Sequence, residues 1–441
     1  MASTKLQRAF SAEGDNIYKW TYSFWVKRGT LGGDQAMASA YYSASYEARI
    51  YFRGTNQLEV YDYWNGSYTL QKKTNRLFRD TSAWYHIVVS NDNTQASADD
   101  RTKIYVNGVQ ETSFAINTQF PQNQRNSFNN DYTKYFGSYG SGDYLDGSMS
   151  HIHFIDGTAY DPTAFGETDS TTGEWKIKTN VSVTYGSNGY FILKDGNSVT
   201  DQSGNSNNFT VGAGTLTKTE DNPSNVFATG NPIGAYRTQA GRPSFSNGNN
   251  TIYFNNASYN EIVNSTLSLT GGNFYWETKI VSIAQSYIGI VKSDDYTNGW
   301  TQANVHYLYL QNGQKRNGDT ATSYGSSYTT GDIIGCAWNG TTGTIWFSKN
   351  GVWQNSATIT EIANGTTTNS AFTGLSSATD GNAWLTFNSD YNDKYQNLNF
   401  GNGYFGTTAV SSAGTNASGI GIFEYDVPTG YTALSTKGLN L

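Results

Sequence analysis

The chain has 441 residues, of which 15% are aromatic, only 14% are charged and 47 are glycine, with a net charge of −7 from 28 basic and 35 acidic side chains. So aromatic a composition excludes intrinsic disorder, and so little Ala, Glu, Leu and Lys excludes a helical bundle or coiled coil. The chain has no basic stripe of the kind nucleic-acid binders carry and no run of about 18 apolar residues that could insert in a membrane.

Taken in order, the elements are nearly all strands. Residues 1–14 have no apolar core of the signal-peptide type, so the expectation is synthesis in a cytoplasm without export. Strand patterns follow at 23–27, 48–53, 58–64 and 84–90. The run Lys103-Ile104-Tyr105-Val106 leads into Asn107-Gly108, and His151-Ile152-His153-Phe154-Ile155 leads into Asp156-Gly157. One helical turn at most is expected, at 162–166. Further strands are expected at 190–194, 275–282, 287–291 and 307–310, the last leading into Asn312-Gly313. Thr344-Ile345-Trp346-Phe347 leads into Asn350-Gly351. Asn-Gly and Asp-Gly, about fifteen in all, are the strongest short hairpin signals, because both residues tolerate the positive φ of a type I′ turn. Short strands at this spacing, without amphipathic helices between them, predict antiparallel sandwiches.

Strand signals thin out between 201 and 250, where Asp201-Gln202-Ser203-Gly204-Asn205, Asp221-Asn222-Pro223, Asn231-Pro232 and Arg242-Pro243 supply loop chemistry. The expected fold class is therefore all-β, two antiparallel β-sandwiches of jelly-roll type joined by a Gly/Pro/Asn-rich linker. The expected domains are 1–215, a linker at 216–250, 251–405, and a C-terminal extension at 406–441. The single thiol, Cys336, excludes an internal disulfide framework and sits in an apolar strand run, where it is expected to act as a small buried hydrophobe.

Particular motifs carry a resemblance. Tyr22-Ser23-Phe24-Trp25-Val26-Lys27, Trp84-Tyr85-His86-Ile87-Val88-Val89, the strand before Asn107-Gly108, and Leu145-Asp146-Gly147-Ser148-Met149-Ser150-His151-Ile152 resemble successive strands of laminin-G-like, concanavalin A-like jelly rolls. Tyr275-Trp276-Glu277, Tyr287-Ile288-Gly289-Ile290, Gly331-Asp332-Ile333-Ile334-Gly335-Cys336, the run from Thr344 to Gly351, and Leu398-Asn399-Phe400-Gly401 resemble a SPRY domain. This pairing, the stretch from Asp201 to Thr210, and the tail from Tyr425 to Tyr431 are together similar to structural proteins of tailed bacteriophages. That resemblance implies a virion component of the tail-fibre or surface-binding kind. Its implied partners are other virion proteins, further copies of itself and a host-surface polysaccharide or receptor.

Catalysis is not expected. A glycoside hydrolase needs two carboxylates about 5 to 9.5 Å apart, and no strand carries acids at i and i+2 or i+4. Glu277 has Lys279 two residues on, and the stretch from Ser293 to Trp300 has its glycine out of place for a sialidase-type Asp-box. No Gly-x-Ser-x-Gly elbow occurs. His151 and His153, two apart, are expected on one face of a strand, too few for a zinc site. No cofactor is expected apart from calcium, for which Asp143 and Asp146, with Asn129, Asn130 and Asp131 nearby, are candidate oxygen donors. The stronger binding signal is aromatic: Tyr41, Tyr42 and Tyr46, then Tyr132, Tyr135, Tyr139 and Tyr144, then Tyr296, Trp300, Tyr324 and Tyr328, all in Gly/Ser/Asn-rich stretches. Tyr and Trp pair an apolar ring with a polar tip, at little cost in rotamer entropy, which suits sugars. The tyrosines from Tyr132 to Tyr144 are expected to form an exposed contact loop, because Gly137, Gly140 and Gly142 break any strand. Two functions follow as expectations: a non-enzymatic virion protein that binds a host glycan or receptor, or a capsid decoration protein that packs against other subunits. Strand motifs that begin near Tyr22, with no heptad run, favour the second.

Overall fold

The computed structural model describes residues 4–194, 198–233, 242–293, 304–376 and 383–440. The chain divides into two compact units, residues 1–218 and 219–441. Among the described residues the elements are almost entirely antiparallel strands.

The first unit is a sandwich of two sheets. The larger runs in the order Phe114–Thr118, Ser67–Leu77, Gln57–Trp64, Tyr46–Phe52, Gln35–Ser43, Thr133–Phe136, Lys5–Arg8, Thr210–Ala213. The smaller runs Tyr190–Ile192, Gly147–Asp156, Lys19–Arg28, Tyr85–Asp92, Thr102–Val106, Val109–Gln110. Alternation decides what faces inward. Ala48, Ile50 and Phe52 on one strand and Leu58 and Val60 on the next enter the core beside Trp20, Tyr22 and Phe24. Asn65-Gly66, Asn107-Gly108 and Asn350-Gly351 have positive φ at both residues, as a type I′ turn demands, whereas in Asp156-Gly157 and Asn312-Gly313 only the glycine does, so these two are not type I′ turns.

The two outer faces of this sandwich differ. The smaller sheet is covered by the segment from Tyr160 to Tyr185, whose Phe165, Val181, Val183 and Tyr185 pack with Val88 and Ile155. Trp175 closes this cover. Its indole donates to His86 Nδ1 at 2.9 Å, and a Cβ on Gly108, which has φ +79, would stand 2.5 Å from the indole ring. His86 is in turn stacked on Trp25. The larger sheet turns a different kind of face outward, described below.

A buried loop closes one end of the core. Asp62, Ala48, Ala40 and Lys134 lie side by side across four strands. The two alanines leave room there, and residues 126–130, all buried, occupy that part of the core. Asp62 Oδ2 accepts the Ser127 N–H at 2.6 Å, and Lys134 Nζ donates to the Ser127 and Asn130 carbonyls at 2.9 Å each. These contacts satisfy main-chain groups that an irregular buried segment would otherwise leave unpaired.

The second unit is also a two-sheet sandwich. One sheet runs Ser244–Ser246, Thr251–Phe254, Lys394–Asn399, Asn273–Ile280, Ile333–Asn339, Thr344–Lys349, Val352–Trp353. The other runs Glu261–Asn264, Trp384–Asp390, Tyr287–Lys292, His306–Leu310, Gln314–Asn317, Thr320–Ser323. Cys336 is fully buried in its core, and burial raises its thiol pKa.

Three expectations need correction. Residues 216–250 are not a linker throughout, because Phe227 and Ala228 are buried in the second unit and the strand Ser244–Ser246 is an edge of its sheet. Residues 406–441 are not an extension. Phe423, Val427, Tyr431 and Ala433 pack on Tyr275 and Trp346, and Thr432–Ala433 pairs in parallel with Phe274 and Tyr275. Glu277 holds this tail. Its carboxylate accepts the N–H groups of Glu424 and Tyr425 at 2.9 and 3.0 Å, together with the Asn399 amide and the Tyr275 hydroxyl. Finally, the expected turn near Pro162 is a 3-10 turn, Pro162–Ala164, and a short α-helix, Ile359–Ala363, was not anticipated. Its capping box, Thr358 with Glu361, is a signal present in the sequence.

The packing of Phe227 gives a prediction. Fragments 1–218 and 219–441 are each expected to fold, whereas 251–441 should lose about 3 to 5 kcal/mol through the missing Phe227 ring alone. Urea titration of the two second-unit fragments checks this, and equal midpoints would refute it.

Candidate binding face

The outer face of the larger first-unit sheet is built by the same alternation that builds the core. Where Ala48, Ile50 and Phe52 point in, Glu47, Arg49 and Tyr51 point out, and beside them Glu59, Tyr61 and Tyr63 alternate with Leu58 and Val60. Tyr41 and Tyr68 come from the flanking strands, and Tyr139 comes from the turn after Thr133–Phe136.

Arg49 is the centre of this face. Its guanidinium carbon lies 3.1 Å from the centre of the Tyr139 ring, 5.5 Å from that of Tyr61 and 5.9 Å from that of Tyr51. It pairs with Asp143 at 2.7 Å and with Glu47 at 3.6 Å. The Tyr61 hydroxyl donates to Glu47 at 2.6 Å, and the Tyr139 hydroxyl donates to the same carboxylate. Burial pushes the phenols of Tyr61 and Tyr139 above their ordinary range, so both remain protonated donors. Burial opposes the Arg49 charge, but Tyr61, Tyr139 and Glu47 outweigh it and raise its pKa. Beside this group Arg53 pairs with Asp34 at 3.2 Å and Glu59 at 3.6 Å.

A separate cluster of rings stands at the rim on the core side of the sheet, because Tyr46, Trp64 and Tyr132 are each two residues from the inward Ala48, Asp62 and Lys134. Tyr42 stacks on Tyr132 with centroids 5.1 Å apart, Trp64 lies 6.4 Å from Tyr132, and Tyr46 meets Trp64 edge-on at 5.1 Å. Tyr68 packs edge-on against Tyr61 and Tyr63. Tyr68, 51% exposed, is the exposed ring of the outer face, and Tyr42, 68% exposed, is that of the rim cluster. Chemically the surface offers apolar rings, phenol hydroxyls and ion pairs already formed.

The positions expected from sequence fall out as follows. Tyr135 and Tyr139 belong to the outer face and Tyr132 to the rim cluster on the core side, and none of them as part of a flexible loop. Thr133–Phe136 is a central strand paired on both sides, Tyr135 lies opposite Ser39 and Gln7, and Tyr132 is buried. The glycines do not break that strand; Gly137 and Gly140, both at positive φ, form the turn that folds Tyr139 back over the sheet. Tyr144 is half-buried. Tyr324 and Tyr328 are core residues of the second unit, 6% and 4% exposed. The Tyr328 hydroxyl donates to the Ser286 and Tyr309 carbonyls, and that of Tyr324 accepts the Phe347 N–H. This corrects their expected surface role: in an all-β core a Tyr can bury its ring if the hydroxyl finds a main-chain partner. Tyr296 and Trp300 lie outside the described residues, as does most of the stretch from Ser293 to Trp300.

The candidate oxygen donors are engaged with the protein itself. Asp143 is ion-paired to Arg49, a charge opposed to a cation there, and Asp146 accepts the Thr30 hydroxyl at 3.0 Å. Asn129 is buried and donates to Asn16, Lys19 and Asp156. Among the described residues no group of three or more His, Cys, Asp or Glu could hold a metal ion. His151 and His153 both lie against Phe191, on the side of the sheet away from the core that Ile152 enters, with His151 at φ +48 in a bulge between Ser150 and His153. His153 is buried against Phe191 and hydrogen-bonds Tyr185 at 2.8 Å. Among the described residues no helix is long and apolar enough to cross a membrane.

Comparison with known proteins supports the two domain types. Residues 9–159 match the concanavalin A-like lectin/glucanases superfamily, and residues 273–393 match the SPRY domain family. A concanavalin A-like domain therefore lies in the first unit and a SPRY domain in the second, as the strand motifs implied. Similar solved structures include the SPRY domain of human HERC1, at 18% identity over 38% of this chain and 96% of that one, with a TM-score of 0.29. Another is the SAP-like pentraxin from Limulus polyphemus, at 15% identity over 36% of this chain and 72% of that one, with a TM-score of 0.27. No curated protein matches the chain.

Proposed function

We propose that the protein is a non-enzymatic recognition protein whose first unit binds a surface glycan through the tyrosine face around Arg49, at the surface of a tailed-bacteriophage virion. The observation that carries the binding reading is the contrast between the two outer faces of the first unit. One is covered by the chain's own segment from Tyr160 to Tyr185, and the other presents Tyr68 to solvent above a layer of rings. Exposed aromatic patches of this kind mark contact sites.

Hydrolysis is disfavoured by the placement of the carboxylates. Glu59 lies opposite Tyr51, four residues along the strand from Glu47, so their backbone positions are about 13 Å apart at ~3.4 Å per residue, beyond the range of a hydrolytic pair. The acids that do approach each other share a guanidinium, Glu47 and Asp143 that of Arg49, and Asp34 and Glu59 that of Arg53. A general acid needs instead an apolar, proton-retaining pocket. The virion setting rests on the resemblance to phage structural proteins in the pairing of the two domains.

The test replaces Tyr68 with Ser. Adsorption to a glycan-coated surface is expected to fall at least tenfold while the melting temperature moves by less than about 2 °C. Unchanged adsorption would remove the face from the binding function. Locating the chain in an electron-microscopy map of an intact particle tests the virion setting separately.

A further inference from the structure

We infer that the saccharide taken by the tyrosine face is uncharged, and that the face rejects acidic polysaccharides. The inference rests on the glycan reading above and concerns what kind of glycan the face accepts.

The charges on and around the face are balanced, and most are already paired. The cations are Lys5, Arg49, Arg53 and Lys73, and the carboxylates are Asp34, Glu47, Glu59 and Asp143. Each arginine meets two carboxylates, Arg49 with Glu47 and Asp143, and Arg53 with Asp34 and Glu59. Lys73 stands directly opposite Glu59 in the strand register. The Lys5 ammonium donates to the Gly140 carbonyl at 2.8 Å and lies 5.3 Å from the centre of the Tyr135 ring. An acidic sugar would have to pull a guanidinium away from two carboxylates and then sit beside them. Like charges brought together at a partly desolvated contact cost several kcal/mol.

What remains free suits a neutral sugar. The exposed ring of Tyr68 can stack on apolar C–H faces, and phenols and carboxylate lone pairs can supply or receive hydrogen bonds to hydroxyls. Since no net charge is neutralised in the contact, affinity should depend little on salt.

The experiment measures binding of the full chain to neutral polymers (linear glucans, galactans, mannans and N-acetylglucosamine oligomers) and to acidic ones (polygalacturonate, alginate and polysialic acid). Each is measured at about 0.05 and 0.5 M salt. The expected result is binding to at least one neutral polymer, changed less than twofold by salt. That binding should weaken at least tenfold in the Tyr68→Ser variant, and acidic polymers should bind at least tenfold more weakly. Asp143→Asn, which frees one side of Arg49, should strengthen binding to the acidic polymers several-fold. Tight, salt-sensitive binding of an acidic polymer that is lost in the tyrosine variant would overturn this inference and leave the glycan reading standing. Binding to neither class, or binding indifferent to Tyr68, would overturn the glycan reading itself.

Discussion

Acidifying the protein from pH 7 to pH 5 is expected to lower the melting temperature of the first unit while sparing or raising that of the second. His86 and His153 are both buried in the first unit. Burial pushes His86 down to about 3 and holds His153 well below its ordinary value. Between the ordinary value near 6.5 and those folded values, the unfolded chain binds protons that the folded unit does not. Stability is therefore lost as pH falls through that window, at about 1.4 kcal/mol per pH unit for each histidine. Asp62 opposes this. Burial raises it to about 7, so its folded form gains a proton first and stability rises as pH falls from 7 toward 4. Two histidines against one carboxyl leave a net loss near one proton, about 2 kcal/mol between pH 6.5 and 5, or roughly 4 to 8 °C for a unit of this size.

The second unit has the opposite sign. Burial raises Glu277 to about 7 despite its four hydrogen-bond donors, and Glu261 and Asp390 are also raised by burial. These carboxyls favour the folded state as pH falls below 7 until their unfolded forms are protonated as well. Calorimetry of the full chain across pH 5 to 8, with transitions assigned from fragments 1–218 and 219–441, reads the two units separately. Parallel shifts of both transitions, or a first transition that rises in acid, would contradict this account.

Replacing Asp62 with Ala is expected to destabilise the first unit by about 3 to 5 kcal/mol, as is replacing Lys134 with Met, because each change strands buried polar groups that its partner groups had satisfied. Without Asp62 the Ser127 N–H loses its acceptor, and Lys134 loses an anionic neighbour in a site where burial already holds it down to about 7. Without Lys134 the carbonyls of Ser127 and Asn130 lose their donor. Each variant should lower the first transition by about 6 to 20 °C. Leaving the loop where it is but filling its space, as in Ala48→Val, should cost less, about 1 to 3 kcal/mol. Thermal unfolding followed by tryptophan fluorescence checks the order, and a shift below about 2 °C in both charged variants would show that the buried loop does not depend on them.

Asn65-Gly66, Asn107-Gly108 and Asn350-Gly351 were legible in the sequence because a type I′ turn is decided by the φ angles of two adjacent residues. The same holds for the strands around Ile50, Val88 and Trp346, whose alternation needs only local spacing, and for the two domain types, whose strand motifs run in order along each half. The outward set Glu47, Arg49, Tyr51, Glu59, Tyr61 and Tyr63 was open to the same reasoning, since it is the polar complement of the aliphatic alternation on its own strands. Where Tyr132, Tyr139, Tyr324 and Tyr328 would point was not decided locally. The inward or outward direction of a side chain depends on strand register, and a bulge such as that between Ser150 and His153 reverses it. Arg49 meets Asp143, and Lys134 meets Ser127 near Asp62, only because strands some ninety and seventy residues apart along the chain are brought together on one sheet. Those contacts come from long-range pairing and from the space left by two alanines, and neither leaves a mark in the residues on either side of them.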